Sequence, residues 1–183
     1  MYLDLQNVPL EGQAVDRTIA ATQFGVLDDA FELSSDVAIA ARVFPTGEPQ
    51  ERAFRLKGLL TAKLEVVCVR CLDRFRIALS EPLDLMYLPS SANVAREVEE
   101  DDDEGHALGA DEMTVGFYRD DRIDLTHMML EQIVLSLPMK PLCRPECLGL
   151  CPECGTNRNE MACGCGTQSM DPRWDALKSL LGS

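Results

Sequence analysis

The chain has 183 residues, which allows one domain or one domain with a small metal-binding module. Its formal net charge is −14, and it carries only one Trp, three Tyr and six Phe. This composition argues against a nucleic-acid-binding protein with an overall basic surface or a platform of stacking rings. No apolar run approaches the roughly 18 residues of a membrane span, and the N-terminus lacks a signal-peptide pattern. We therefore expect a soluble cytoplasmic protein that makes no membrane contact.

Residues 1–90 are predicted to form a β-rich body. Short apolar runs at residues 3–5 and 8–10 are candidate edge strands. Apolar and polar residues alternate over residues 31–44, which predicts a half-buried strand interrupted near residues 34–36.

The second half of this body carries the clearest β pattern. Residues 53–69 are predicted to form two strands, and further strands are expected at residues 75–79 and 83–87. Alternation keeps one face apolar, so these strands should form an antiparallel meander with one solvated face. Cys68 and Cys71 lie at the tight turn in its middle.

Residues 91–112 have a different composition. Seven of the eight residues in the segment 97–104 are acidic. Such a run repels itself and buries nothing, so we expect a mobile acidic loop that can dock on a basic partner.

Residues 113–142 are predicted to complete the body with a strand and a helix. The strand is expected at residues 114–118, and Asp124 is a candidate N-cap for a helix over residues 125–137. Apolar residues, Leu135 among them, cover much of the circumference of this helix. We therefore expect it to be largely buried.

Residues 143–183 are predicted to form a cysteine-rich zinc module with a closing helix. Asp171 and Pro172 are candidates for the N-cap and the first residue of that helix. One face of it would pack on the core of this chain or on a partner, and that face carries Trp174, Leu177, Leu180 and Leu181.

The eight cysteines lie in four close pairs, and a tetrahedral zinc ion takes four thiolates, usually from two such pairs. The most compact set consists of Cys151, Cys154, Cys163 and Cys165. The remaining set consists of Cys68, Cys71, Cys143 and Cys147, and it would clip the strand turn to the segment after the helix. We expect two structural zinc ions. An iron–sulfur cluster also uses four thiolates and stays an alternative, whereas disulfides would need an oxidising compartment.

No catalytic constellation is recognised in the sequence. Neither His106 nor His127 has the spacing of a metal ligand, and there is no phosphate-binding loop or nucleophile elbow. We therefore expect a non-enzymatic protein without a small-molecule substrate. The predicted fold class is α+β, with an antiparallel β-rich body, a buried helix and a C-terminal zinc-ribbon-like cysteine module.

Three stretches of the chain, in order, resemble the YceD family of large ribosomal RNA subunit accumulation proteins. The first is Cys68-Val-Arg-Cys71-Leu72 with the strands after it, and the second covers residues 123–143. The third covers residues 149–173, including Cys151-Pro-Glu-Cys154-Gly155. The resemblance implies a cytoplasmic, non-enzymatic factor that supports the accumulation of large-subunit ribosomal RNA in ribosome biogenesis.

Two binding modes are compatible with such a role. In the first, the protein contacts a ribosomal RNA precursor directly through basic side chains around the first cysteine pair, which would make binding dependent on salt. These candidates, which could equally fill the solvated face of a sheet, are Arg52, Arg55, Lys57, Lys63, Arg70, Arg74 and Arg76. In the second, the acidic segments hold a basic ribosomal protein or assembly factor of the large subunit. A redox-regulated thiol protein is a third, weaker alternative.

Overall fold

The computed structural model describes residues 1–25, 31–46, 52–91 and 115–165. The acidic segment 97–104 and the expected closing helix after Asp171 lie outside these residues.

A long antiparallel hairpin forms the centre of the fold. Strand β5 covers Ala53–Val67, strand β6 covers Arg74–Pro89, and they pair along almost their whole length. The prediction of four shorter strands was therefore wrong. Pro82 does not interrupt strand β6, because only one side of β6 is paired at this position. Among the described residues, strand β7 pairs only with Met86–Pro89 on the other side. A proline is tolerated on such a strand edge.

Three further strands extend the sheet on the other side of β5. Strand β4 (Val37–Thr46) pairs antiparallel with β5, and strand β2 (Gln13–Ile19) pairs with β4. The short strand β3 (Phe31–Leu33) pairs with β5 beyond the end of β4. The interruption expected near residues 34–36 is confirmed, because it separates β3 from β4.

The remaining strands lie at two edges. Strand β7 (Val115–Tyr118) pairs parallel with the end of β6, so the sheet is not wholly antiparallel. Strand β1 (Tyr2–Asp4) pairs with strand β8 (Arg122–Asp124) in a small second sheet. An edge strand near residues 3–5 is thus confirmed. Residues 8–10 are described and form no strand, so the second candidate edge strand was wrong.

Helix α1 covers Leu125–Ser136, and Asp124 caps it by accepting hydrogen bonds from the backbone N–H groups of Thr126 and His127. The predicted N-cap is thus confirmed. One face of the helix is buried, but Leu135 is 77% exposed, so the expectation of burial around most of the circumference was wrong. The buried side chains are Leu125, Met128, Met129 and Ile133.

Among the described residues, one large core joins the two sheets and the helix, while a small second cluster lies at the far end of the hairpin. That cluster contains Cys68, Cys71 and Cys147, with Phe75 and Leu142 packed against it. The α+β class with a mostly antiparallel sheet is therefore confirmed. Within the described ranges, no helix has the length and apolar character needed to cross a membrane.

Candidate metal centres

The first candidate centre joins the β5–β6 turn to the segment that follows α1. Its four ligand atoms belong to Cys68, Cys71, Cys143 and Cys147, and all lie within 4.8 Å of one another. The Sγ atoms of Cys68 and Cys147 are 3.8 Å apart, and those of Cys71 and Cys143 are 3.6 Å apart. Zinc–sulfur bonds of about 2.3 Å in a tetrahedron would separate neighbouring sulfurs by about 3.8 Å. The donor set therefore fits a tetrahedral four-thiolate ion.

The second candidate centre consists of Cys151, Cys154, Cys163 and Cys165, again with all ligand atoms within 4.8 Å of one another. The structure thus brings the thiols together in the same two groups of four that the sequence spacing favours. The two centres differ in exposure. Three of the four cysteines in the first centre are buried, whereas Cys154 is exposed and only Cys151 is buried in the second. None of the eight cysteines forms a disulfide.

Both centres contain a turn with the same backbone pattern. In the first, the N–H of Leu72 donates to the carbonyl of Cys68 at 3.0 Å, and the N–H of Cys68 donates to the carbonyl of Asp73 at 2.9 Å. In the second, the N–H of Gly155 donates to the carbonyl of Cys151 at 2.9 Å. The N–H of Cys151 then donates to the carbonyl of Thr156 at 2.8 Å. Each turn therefore presents two thiols on one side of a tight backbone loop.

The residue after the second cysteine of each turn adopts a left-handed conformation. The φ angle is 73° at Gly155 and 63° at Leu72. Glycine adopts this region without strain, whereas residues with a Cβ are strained in it. The positive φ angle thus explains why a glycine occupies position 155. Leu72 adopts the same conformation with some backbone strain.

Gly155→Ala is expected to lower the free energy of unfolding by about 1 kcal/mol, because an L-residue is strained at this φ. Nothing lies within 4 Å of a Cβ built on Gly155, so steric overlap makes no contribution. Urea unfolding of the metal-loaded protein measures the change. Glu153→Ala is the control in the same turn, and its exposed side chain predicts a change within about 0.5 kcal/mol. Equal stability of Gly155→Ala and the parent would contradict the strain argument.

Backbone contacts hold the first turn against the later chain. The N–H of Val69 donates to the carbonyl of Pro141 at 3.0 Å, and the Arg70 guanidinium donates to the carbonyl of Cys147 at 2.9 Å. The carbonyl of Arg70 accepts from the N–H of Leu150 at 3.0 Å. These hydrogen bonds hold the two chain segments of the first centre together independently of a bound ion.

Two sulfurs of the first centre favour the thiolate form. Burial raises the pKa of the Cys68 thiol, but hydrogen bonds from surrounding backbone N–H groups, that of Cys71 first, outweigh it and lower that pKa to about 6. At Cys147, burial again raises the pKa, while hydrogen bonds from the Asn159 amide and the Gly149 N–H bring the net value below the usual range. The thiolate is the form that binds a metal, so both positions are suited to coordination.

In the second centre, the pKa is lowered at one thiol and raised at another. Hydrogen bonds with the side chain and backbone of Thr156 lower the pKa of Cys154 to about 6. A hydrogen bond with the neighbouring Cys154, together with burial, raises the pKa of Cys165 to about 12. A cation would replace protons that the sulfurs otherwise share.

The seven basic residues proposed for RNA contact lie on or beside the β5–β6 hairpin, and five of them have an acidic partner. Asp121 pairs with Arg52 at 2.9 Å, Glu32 with Arg74 at 3.1 Å, and Glu65 with Arg76 at 3.6 Å. The Asp84 carboxylate accepts hydrogen bonds from Arg55 at 2.6 and 2.8 Å and forms an ion pair with Lys57 at 3.1 Å. Arg70 donates to a carbonyl of the first centre, and Lys63 lies opposite Ala78 in the ladder. Neighbouring carboxylates thus offset much of the positive charge on the hairpin.

Arg55→Ala is expected to raise the pKa of Asp84 from about 2 towards its ordinary value of 3.8, because the Arg55 hydrogen bonds are the main cause of the lowered pKa. A carboxyl group with a lowered pKa stabilises the fold fully above about pH 3.8 and loses this effect as the pH falls through about 2. NMR titration of the Asp84 carboxyl measures the shift. Lys63→Ala is the control and should leave it unchanged. An unmoved pKa in Arg55→Ala would show that Arg55 is not engaged by Asp84.

Comparison with known proteins places these features in a family. The family profile described as "Large ribosomal RNA subunit accumulation protein YceD" matches residues 56–181, which include both candidate centres. An uncharacterized protein of Mycobacterium tuberculosis is 34% identical over 129 residues, covering 68% of this chain and 54% of that protein. A similarly uncharacterized protein of Mycobacterium leprae is 31% identical over 125 residues, covering 68% of this chain and 51% of that protein.

The chain therefore spans about half the length of the curated relatives it matches. No solved structure matches it significantly. The family match extends over more than half of the chain and reaches from strand β5 beyond the last described cysteine. On this ground the chain belongs to the YceD family.

Proposed function

We propose that this protein is a cytoplasmic ribosome biogenesis factor that supports the accumulation or maturation of large-subunit ribosomal RNA. It acts by binding rather than by catalysis, and two zinc ions stabilise its binding surface. The observation that supports this proposal is the pair of four-cysteine groups inside the segment that matches the family. Four thiolates complete the coordination of zinc and leave no open position for a reacting water, which is typical of structural sites.

The first centre would act as a clip between distant parts of the chain. It joins Cys68 in the central hairpin to Cys147, which lies 79 residues later and beyond helix α1. Closing so long a loop restricts the unfolded chain, and zinc binding to four thiolates contributes on the order of 10–16 kcal/mol in small peptides. The ion would thus fix the hairpin end on which Arg70, Arg74 and Arg76 lie.

A second candidate function is that of an acidic chaperone or adaptor for a basic ribosomal protein or assembly factor. The ion pairs on the hairpin favour it, because they offset the charges that RNA would need, while the chain as a whole keeps a net charge of −14. Complementary charge would steer such a partner to the acidic segments of the chain.

Capture of partners from a cell lysate, with and without nuclease, separates the two candidates. Direct RNA binding predicts nuclease-sensitive capture of large-subunit ribosomal RNA and crosslinks at the hairpin. These should be lost in Lys63→Ala with Arg76→Ala and kept in Arg17→Ala, an exposed arginine on β2. The adaptor role predicts nuclease-resistant capture of a basic ribosomal protein, lost when residues 97–104 are deleted. Capture of neither RNA nor a ribosomal protein would contradict the proposed function.

A further inference from the structure

The chain between the two halves of the second centre reaches the first centre. We call residues 155–162 the asparagine loop. Within it, the Asn159 amide Nδ2 donates to the Cys147 sulfur at 3.4 Å. The Oδ1 of the same amide accepts from the backbone N–H of Leu148 at 2.8 Å. One side chain thus contacts a sulfur of the first centre and the backbone directly after it.

A second asparagine fixes the first. The Oδ1 of Asn157 accepts from the backbone N–H of Asn159 at 3.0 Å and from its amide at 2.8 Å. The amide of Asn157 donates to the Asp73 carboxylate at 2.7 Å, at the end of the first cysteine turn. The asparagine loop is therefore bonded to both chain segments that supply sulfurs to the first centre.

The same loop is closed by the second centre, since Cys154 and Cys163 flank it and both belong to that group. An ion that joins these two sulfurs restricts the loop and removes much of the entropy cost of holding Asn159 in place. Without that ion, the contact with Cys147 carries this cost in full.

We propose that Asn159 is an outer-sphere ligand-positioning residue of the first centre, and that metal binding at the second centre thereby raises the metal affinity of the first. This inference rests on the proposed metal sites. Donors to ligand atoms typically change metal affinity by about 10–100-fold. Because coupling between binding sites is reciprocal, filling the first centre strengthens the second by the same factor.

The amide is suited to both contacts, because it provides a donor for the sulfur and an acceptor for Leu148. Aspartate has the same shape and keeps the acceptor, but it cannot donate and it brings a negative charge next to a thiolate. Asn159→Asp therefore keeps the acceptor for the Leu148 N–H, while it removes both donations of the amide, to the Cys147 sulfur and to the Oδ1 of Asn157.

The test measures each centre separately in the full chain. Metal-free reduced protein is equilibrated in zinc buffers of defined free concentration and treated briefly with an alkylating reagent. Mass mapping then gives the protection of Cys147 and of Cys163 as a function of free zinc. We expect Asn159→Asp and Asn159→Ala to weaken the first centre by about 10–100-fold. Met161→Ala, an exposed side chain in the same loop, should leave it unchanged.

A double-mutant cycle tests the coupling itself. Cys154→Ser with Cys165→Ser disables the second centre and is expected to weaken the first by a similar factor. Adding Asn159→Ala to this variant should then cause little further loss, because the loop no longer holds the amide in place. Additive losses, or an unchanged first centre in Asn159→Asp, would overturn the proposal. If the parent chain binds two ions independently, only the coupling fails, whereas binding of no ion removes both the coupling and the proposed metal sites.

Discussion

Cys68→Ser is expected to lower the free energy of unfolding by at least about 4 kcal/mol and to unfold the hairpin end at physiological temperature. Cys68 is fully buried, and its sulfur lies in the first candidate centre. Loss of one ligand would remove most of a metal-binding free energy of about 10–16 kcal/mol, which is comparable to the total stability of a domain at about 5–15 kcal/mol. Urea unfolding followed by circular dichroism measures the loss.

Cys154→Ser is the matched comparison. Cys154 is exposed in the second centre, which lies outside the large core, so the sheet should stay folded in this variant. A strong chelator added to the parent protein should destabilise it at least as much as Cys68→Ser does, because it removes the ions of both centres. If Cys68→Ser were as stable as the parent, with the chelator also without effect, the first centre would not be a metal-dependent clip.

Gly58→Ala is expected to destabilise the protein by about 3 kcal/mol, at the upper end of the usual cost of overpacking. Gly58 lies opposite Ala41 of strand β4, and a Cβ built on it would overlap the Ala41 Cα and the Ala40 carbonyl oxygen. The third overlapped atom is the Ala41 Cβ, which cannot move independently of its backbone, so the strand ladder would have to move. Thermal and urea unfolding of the metal-loaded protein measure the effect.

Thr61→Ala is the control for this change. It is an exposed position of the same strand, and β-propensity differences of this kind cost less than about 1 kcal/mol. Equal stability of the two variants would contradict the close approach of β4 and β5 at Gly58.

The arrangement of the cysteines follows largely from their spacing. Each close pair can place two thiols on one side of a tight turn, so a pair such as Cys151 and Cys154 is an early and specific signal. The N-cap at Asp124 is also local, because the side chain bonds to backbone groups only two and three residues away. Features set by neighbouring residues were thus accessible from the sequence.

Features set by tertiary pairing were harder to predict. Strand β2 buries only Val15 and Ile19, four residues apart, so it shows no strict alternation. Gly58 and Pro82 are residue types that commonly break strands. In this fold, Gly58 allows a close contact between β4 and β5, and Pro82 lies where one side of β6 is unpaired among the described residues. The exposure of Leu135 depends on where α1 meets the sheet, which its own sequence does not fix.

Two features of the hairpin and the candidate centres depend on tertiary structure. One follows from the register of the β5–β6 ladder, and the other from a contact between residues of two different cysteine groups. The ion pairs of Lys57 and Arg76 follow from their positions opposite Asp84 and Glu65 in the β5–β6 ladder. The contact of Asn159 with Cys147 joins residues from two cysteine groups, and a lone asparagine in a polar loop carries no signal for it. Only the folded backbone brings these groups together.

Native mass spectrometry of the protein purified under reducing conditions without chelator, combined with elemental analysis, tests the central claim most directly. We expect a mass increase that corresponds to two zinc ions per chain, with the loss of protons from the thiols that bind them. Two ions in the parent, one in Cys68→Ser and one in Cys154→Ser would assign one ion to each group of four sulfurs. A chain that carries no metal and eight reactive thiols, or four disulfides, would contradict the account.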